Sequence, residues 1–166
     1  ICSFKQRLIV YSPFMTEARL ALLLPAFVDA INKGKQIIVV TKALSDRGRI
    51  ELTQYQKCEQ ELQDIGVKVL HKKGMHEKLI FVDSDAVWIG SLNALSFTGL
   101  TGEIMQRHAD KKLTAEYEKL FDIEHICGAI ENTYEQKCPI CGAEMIVKES
   151  DEGGIYWQCV SEDYSR

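Results

Sequence analysis

Long apolar runs are missing from this sequence. The longest, Leu20 to Pro25 with its flanks, is too short and too interrupted to span a bilayer. No signal peptide, lipidation motif or interfacial amphipathic helix stands out, so a soluble chain with no membrane partner is expected. Cysteine is present, but the uneven spacing of Cys2, Cys58, Cys127, Cys138, Cys141 and Cys159 does not suggest a secreted disulfide framework and points to the reducing cytoplasm. Internal repeats and low-complexity segments are absent. So is an initiator Met: the chain starts at Ile1 and stops at Arg166 in a polar stretch, which reads as a piece of a longer polypeptide. A dominant charge is lacking too. The net charge of −4 divides into 17 Lys and Arg against 16 Asp and Glu through Ile126, and 3 against 8 from Cys127 onward. Only the first segment could approach a polyanion without a repulsive field, and Lys72, Lys73 and Lys78 are its densest basic cluster.

With 166 residues and 46% apolar content, the chain can build one α/β domain and a small appended module. Residues 6–11 read as a buried strand closed by Ser12-Pro13. Thr16 can cap a following helix, whose apolar residues recur at helical spacing from Leu20 to Ile31 until Gly34 ends it, with Pro25 as a kink point. Residues 36–40 form a second β-branched strand, 51–65 an amphipathic helix carrying Leu52, Tyr55, Cys58, Leu62 and Ile65, and 67–70 a third strand. This alternation favours parallel pairing with right-handed crossovers. Lys78–Val82 and Ala86–Ile89 then suit a tight hairpin across Asp83, Ser84 and Asp85, and residues 112–133 read as mostly helical. The expected domains are 1–135 and 136–166.

The chemistry concentrates at the hairpin. His76, Lys78, Asp83, Gly90, Ser91 and Asn93 spell H-x-K-x4-D-x6-G-S-x-N. On a strand, His76 and Lys78 would project to one face. An imidazole that attacks phosphorus needs beside it a cation to hold the non-bridging oxygens as charge builds. Ser91 and Asn93, which share parity at the end of the next strand, can donate hydrogen bonds to the same oxygens. No carboxylate cluster of the magnesium-holding kind stands nearby in the sequence, so catalysis is expected to need no metal. A lone His-x-Lys is usually a solvated face, but six matched positions at fixed spacing are not. His71, His108 and His125 lie outside the motif and read as ordinary surface or satisfied histidines.

This string resembles the signature of the phospholipase D superfamily, and the resemblance covers roughly residues 6–125. It implies a mixed sheet flanked by helices, a phosphohistidine at His76, a phosphate grip by Lys78, Ser91 and Asn93, and a mainly architectural Asp83. It also implies that Glu103, about ten residues past the Asn, accepts the other ring proton of His76 and fixes its tautomer. The superfamily site needs two histidines and this chain has one motif. Small single-motif nucleases of the superfamily solve this by forming two-fold homodimers, which favours nucleic acid as substrate, DNA ahead of RNA. Similar domains end bacterial helicase-like proteins, so helicase-like domains of the same polypeptide are expected partners, although no helicase motif appears in the sequence itself. A non-catalytic nucleic-acid or protein-binding module and a phospholipid phosphodiesterase are the alternatives.

In the tail, Cys138-Pro139-Ile140-Cys141-Gly142 followed by Trp157-Gln158-Cys159 has zinc-ribbon spacing. The place of a fourth cysteine is taken by Glu162. The segment resembles the zinc ribbons of bacterial topoisomerases, which implies structural zinc on Cys138, Cys141, Cys159 and Glu162. Asp163, Cys127, a cysteine beyond Arg166 or a metal-free module remain open. Cys2 and Cys58 read as core or incidental thiols.

Overall fold

The computed structural model describes residues 4–97, 99, 102–127, 141, 143, 145–149 and 155–159, with 49–53, 145–149 and 155–158 described by backbone alone. The chain divides into two compact units, 1–117 and 118–166.

Unit 1 is built on a six-stranded mixed sheet. Its strands are β1 (Arg7–Tyr11), β2 (Gln36–Lys42), β3 (Lys68–Lys72), β4 (Leu79–Val82), β5 (Ala86–Gly90) and β6 (Met105–His108), and their spatial order is β3-β2-β1-β4-β5-β6. The first three strands pair in parallel, as the alternation with helices α1 (Glu17–Asn32) and α2 (Arg49–Asp64) requires. β4 then runs antiparallel to β1, and β4, β5 and β6 continue antiparallel.

Local chemistry explains the boundaries. Thr16 caps α1, its hydroxyl accepting from the Arg19 amide at 3.4 Å, and Gly34 takes the left-handed conformation that ends the turn after the helix. Pro25 lies inside α1 without ending it. β2 is buried on both faces from Ile37 to Val40, which suits a parallel strand. Leu8, Val10, Ile37, Val39 and Ile80 share one core cluster with Leu20 and Phe27 of α1 and with Tyr55, Cys58 and Leu62 of α2. Burial, with the nearby Glu61 and Glu17 carboxylates, pushes the Cys58 thiol up to about 11, so Cys58 acts as a core hydrophobe. His71 is satisfied, with Nε2 3.0 Å from the Tyr55 hydroxyl and 3.2 Å from Glu59 Oε1.

Three expectations change. His76 and Lys78 do not lie on a strand, because β4 begins only at Leu79. Topology supplies the reason: β3 is at the sheet edge while β4 lies beyond β2 and β1, so the chain must cross both before it can pair. Three strand spacings amount to about 14 Å, well within the reach of six extended residues. Residues 73–78 make this crossing over the carboxyl ends of the parallel strands. Second, β6 was not legible as a strand. Third, the expected helix over 112–133 is α3 (Lys111–Leu120), broken at Asp122 with its positive φ of 51° and followed by a helical run over 123–127. The remainder of that expectation lies outside the described residues.

In unit 2, β7 (Met145–Glu149) and β8 (Ile155–Cys159) form an antiparallel two-stranded sheet. The expected boundary near 135, like Cys138 and Glu162, falls outside the described residues.

Candidate active site

The carboxyl ends of β1, β2 and β3 define one edge of the sheet, which is where open α/β sheets bind ligands. Register brings the motif, apart from Asp83, to this edge. Tyr11 at the end of β1 pairs with Leu79 at the start of β4, Leu79 pairs with Ile89 of β5, and Gly90 pairs with Met105 at the start of β6. The edge therefore gathers the crossing segment with His76 and Lys78, the end of β5 with Ser91, and the approach to β6 with Glu103.

The backbone of His76 is held from several sides. Gly74, at φ +62°, donates its amide to Asp46 Oδ2 at 2.8 Å, and Met75 is 1% exposed. The His76 amide donates to Glu77 Oε2 at 2.8 Å, and Lys78 Nζ donates to the His76 carbonyl at 2.7 Å. The imidazole itself is exposed, with no hydrogen-bond partner among the described residues. Lys78 is half-buried, and its carbonyl faces the Gly90 amide at 3.4 Å.

Glu77 had no signal in the sequence, since it occupies the unspecified position of H-x-K. Its carboxylate pairs with Lys72 of β3 as well as with the His76 amide. Burial pushes its acidity toward the neutral form, but Lys72 and the backbone N–H groups outweigh that and hold the carboxyl below its usual range. Glu77 thus ties the crossing segment to β3.

Gly90 is the tightest point of the motif. A Cβ there would lie 1.8 Å from the Ile104 carbonyl oxygen and 2.9 Å from the Met105 Cα, both backbone atoms. Just beyond it, the Ser91 amide donates to the Ile104 carbonyl at 2.9 Å, the Ile104 amide donates to Ser91 Oγ at 3.1 Å, and the Ser91 hydroxyl donates to Glu103 Oε2. Glu103 is therefore joined to Ser91, and the expected Glu103 bond to the His76 ring is not formed. The physical reason is register: with Gly90 opposite Met105, Ser91 falls beside residues 103 and 104.

Asn93 follows as a half-buried residue whose carbonyl accepts from the Ser96 amide at 3.1 Å and the Phe97 amide at 3.0 Å. Its side-chain oxygen is buried without a partner among the described residues, the kind of exception that functional sites tolerate. This loop is anchored to the end of β1. Ser12 Oγ accepts from the Leu95 amide at 3.2 Å, the Thr16 amide donates to the Leu95 carbonyl at 2.9 Å, and Arg19 Nε donates to the Ala94 carbonyl at 3.0 Å. Ser12, read in the sequence only as a turn residue, is a fully buried tie between β1 and the motif.

Asp83 stands at the opposite end of β4. At φ 53° in the hairpin turn, it accepts from the backbone amides of Lys5, Gln6 and Arg7 at 2.9, 2.7 and 3.0 Å, while its own amide donates to the Arg7 carbonyl at 2.8 Å. Burial favours the neutral carboxyl and pushes its pKa up, but the three amides and Lys5 more than reverse this, so the carboxyl titrates below its ordinary value. It fastens the segment before β1 to the β4–β5 turn.

Of the tail residues, Cys141 and Cys159 are described, and their sulfurs lie 3.4 Å apart.

Residues 1–124 match the family model described as "Cardiolipin synthase, PLD-like domain". No curated protein matches the chain. Among solved structures, the chain is similar to Nuc, a phospholipase D family member from Salmonella typhimurium. Identity is 20% over 72% of this chain and 78% of that one, at a TM-score of 0.55. It is also similar to NucT from Helicobacter pylori, with 15% identity over 73% and 79% of the two chains and a TM-score of 0.54. Polyphosphate kinase from Porphyromonas gingivalis shares the architecture at 11% identity over 87% of this chain but 24% of that one, with a TM-score of 0.55. At such identities these likenesses speak for the fold alone. The family match covers residues 1–124 of 166 and contains the complete motif, and the chain belongs to the phospholipase D-like family.

Proposed function

We propose that this domain is a phosphodiesterase that cleaves nucleic acid through a phosphohistidine at His76. The observation that carries the reading is the gathering of His76, Lys78 and Ser91 at one sheet edge, with an exposed imidazole on a backbone fixed from both sides. In the proposed reaction a ring nitrogen of His76 attacks phosphorus, an N–P bond forms, and the bond to the leaving oxygen breaks. Lys78 and the Asn93 amide stabilise the non-bridging oxygens as their charge grows. Ser91 joins them when its hydroxyl turns from Glu103. The leaving oxygen takes a proton from a second imidazole, and water, giving its proton back to that group, then cleaves the N–P bond.

One motif per chain supplies one histidine. The second is proposed to be His76 of the partner subunit in a two-fold homodimer. Nucleic acid, DNA ahead of RNA, is favoured by the likeness to Nuc and NucT and by Lys42, Lys72 and Lys78 at this same edge, two of them at the ends of β2 and β3. Helicase-like domains elsewhere in the polypeptide and a cytoplasmic setting complete the proposal. The family description names a lipid enzyme, which keeps phospholipid as the second reading. No helix among the described residues is long and apolar enough to cross a membrane.

The deciding experiment offers single- and double-stranded DNA, RNA and phospholipid vesicles to the purified chain and to His76→Ala, with and without EDTA. Cleavage of nucleic acid that survives EDTA and is lost in the variant is expected. Cleavage of phospholipid alone would replace the substrate assignment, and activity that needs added magnesium would overturn the mechanism.

A further inference from the structure

The connection from β2 to α2, residues 43–48, holds no residue of the motif, yet it grips both ends of the stretch that leads to His76. The Ala43 amide donates to the Lys72 carbonyl at 3.1 Å, and Asp46 Oδ2 accepts from the Gly74 amide at 2.8 Å. The second contact falls where restraint matters most. Glycine has the widest backbone freedom, so a tether on Gly74, two residues before His76, removes the largest source of slack in the crossing segment. Glu77 and Lys78 restrain the backbone of His76 itself, and Asp46 restrains the approach to it.

Asp46 can do this only if its own turn is fixed. A single turn of 3-10 helix, Leu44–Asp46, carries it, and none of the three residues is buried, so packing does not hold the turn in place. Arg47, the next residue, does. Its Nη2 donates to the Pro13 carbonyl just past β1 at 2.9 Å, to Thr41 Oγ1 at 3.0 Å and to the Lys42 carbonyl at 3.0 Å, and its Nε donates to the same Lys42 carbonyl at 3.2 Å. The guanidinium carbon lies 3.7 Å from the centre of the Tyr55 ring of α2, a stacked cation–π contact on a side chain that is 2% exposed. One planar group thus joins the ends of two strands to a helix, which the point charge of a lysine cannot reproduce.

We infer that Arg47 and Asp46 are positioning residues for His76, with Arg47 fixing the turn and Asp46 passing that restraint to Gly74. The inference rests on His76 as the nucleophile, and neither residue touches substrate in it. A misplacement of about 1 Å at an attacking atom costs up to about a hundredfold in rate, so a loosened tether is expected to act on kcat.

The test uses the whole chain, with DNA as substrate. Asp46→Ala and Arg47→Ala should each lower kcat about tenfold or more and change KM by less than about twofold, because orientation is lost and not affinity. Asp46→Asn, which can still accept from the Gly74 amide, should keep at least about half of the wild-type kcat, whereas Arg47→Lys should be as slow as Arg47→Ala. Combining Asp46→Ala with Arg47→Ala should be about as slow as the slower single variant, since both act through one tether. A raised KM that Arg47→Lys restores would make Arg47 a charge that attracts substrate and would overturn the inference. Amide hydrogen exchange reads the tether without activity: in both alanine variants amides 74–78 should exchange about tenfold faster or more, while amides 8–10 and 37–40 stay as in the wild type. Faster exchange throughout these strands, or unchanged exchange at 74–78, would also overturn it. A wild type that cleaves nothing, with 74–78 loosened in the variants as expected, would refute the reading of His76 and uphold the tether.

Discussion

Adding one methyl group at Gly90 tests the geometry of the motif severely. In Gly90→Ala the new Cβ would meet the Ile104 carbonyl oxygen at 1.8 Å, the Ile104 carbonyl carbon at 2.8 Å and the Met105 Cα at 2.9 Å. All three are backbone atoms, so no rotamer change relieves the clash. β5 and β6 must separate by more than an ångström, which also breaks the paired bonds between Ser91 and Ile104. Overpacking of this kind costs about 1–3 kcal/mol, and each lost hydrogen bond adds about 0.5–1.5 kcal/mol. A destabilisation of about 2–6 kcal/mol is expected from overpacking and the two lost bonds together, read as a fall in the urea midpoint at unchanged slope. Gly102→Ala is the control, because a Cβ there meets nothing within 4 Å. It should stay within about 0.5 kcal/mol of the wild type. If Gly90→Ala is as stable as Gly102→Ala, the close approach of β5 and β6 is wrong, and with it the placement of Ser91 and Glu103.

Other outcomes follow from the same contacts. The Asp83 carboxyl is held below its usual range by the amides it accepts from, so its stabilisation is full above the unfolded value of about 3.9 and is lost as pH falls through the lower folded value. Asp83→Asn should therefore lower stability by about 1–2 kcal/mol at neutral pH and match the wild type below the folded value, and a gap that persists in acid would refute this role. Glu77→Ala should lower kcat about tenfold or more by freeing the His76 backbone, with Glu77→Gln intermediate because it can still accept from the His76 amide. Equal kcat in all three proteins would exclude a positioning role. In a two-fold dimer that shares one site, an equal mixture of wild type and His76→Ala under free subunit exchange should keep about a quarter of the activity, whereas independent monomers would keep about half.

What the sequence made legible was what periodicity and capping control. Thr16, Gly34, the β-branched run of β2 and the turn at Asp83–Asp85 all mark elements that form where local chemistry puts them. What stayed hidden depends on strand order. The crossing of β3 to β4 takes His76 and Lys78 off the strand, and nothing local to residues 73–78 reveals that two strands lie between. β6, with Met105-Gln106-Arg107-His108, has neither alternation nor β-branched residues and exists because β5 offers it an edge. Glu77 and Ser12 were invisible for the same reason, since each acts through a partner brought near only by the fold. The register of β5 and β6 likewise gave Glu103 to Ser91.

The nucleophile is the central claim, and rapid quenching of the reaction with end-labelled DNA tests it directly. Phosphohistidine survives alkali and decays in acid, so alkaline quench, proteolysis and mass spectrometry should find a phosphoryl-linked nucleotide on the peptide that carries His76, and none in His76→Ala. Cleavage at the wild-type rate with no covalent adduct at any quench time, or an adduct on another residue, would contradict the mechanism.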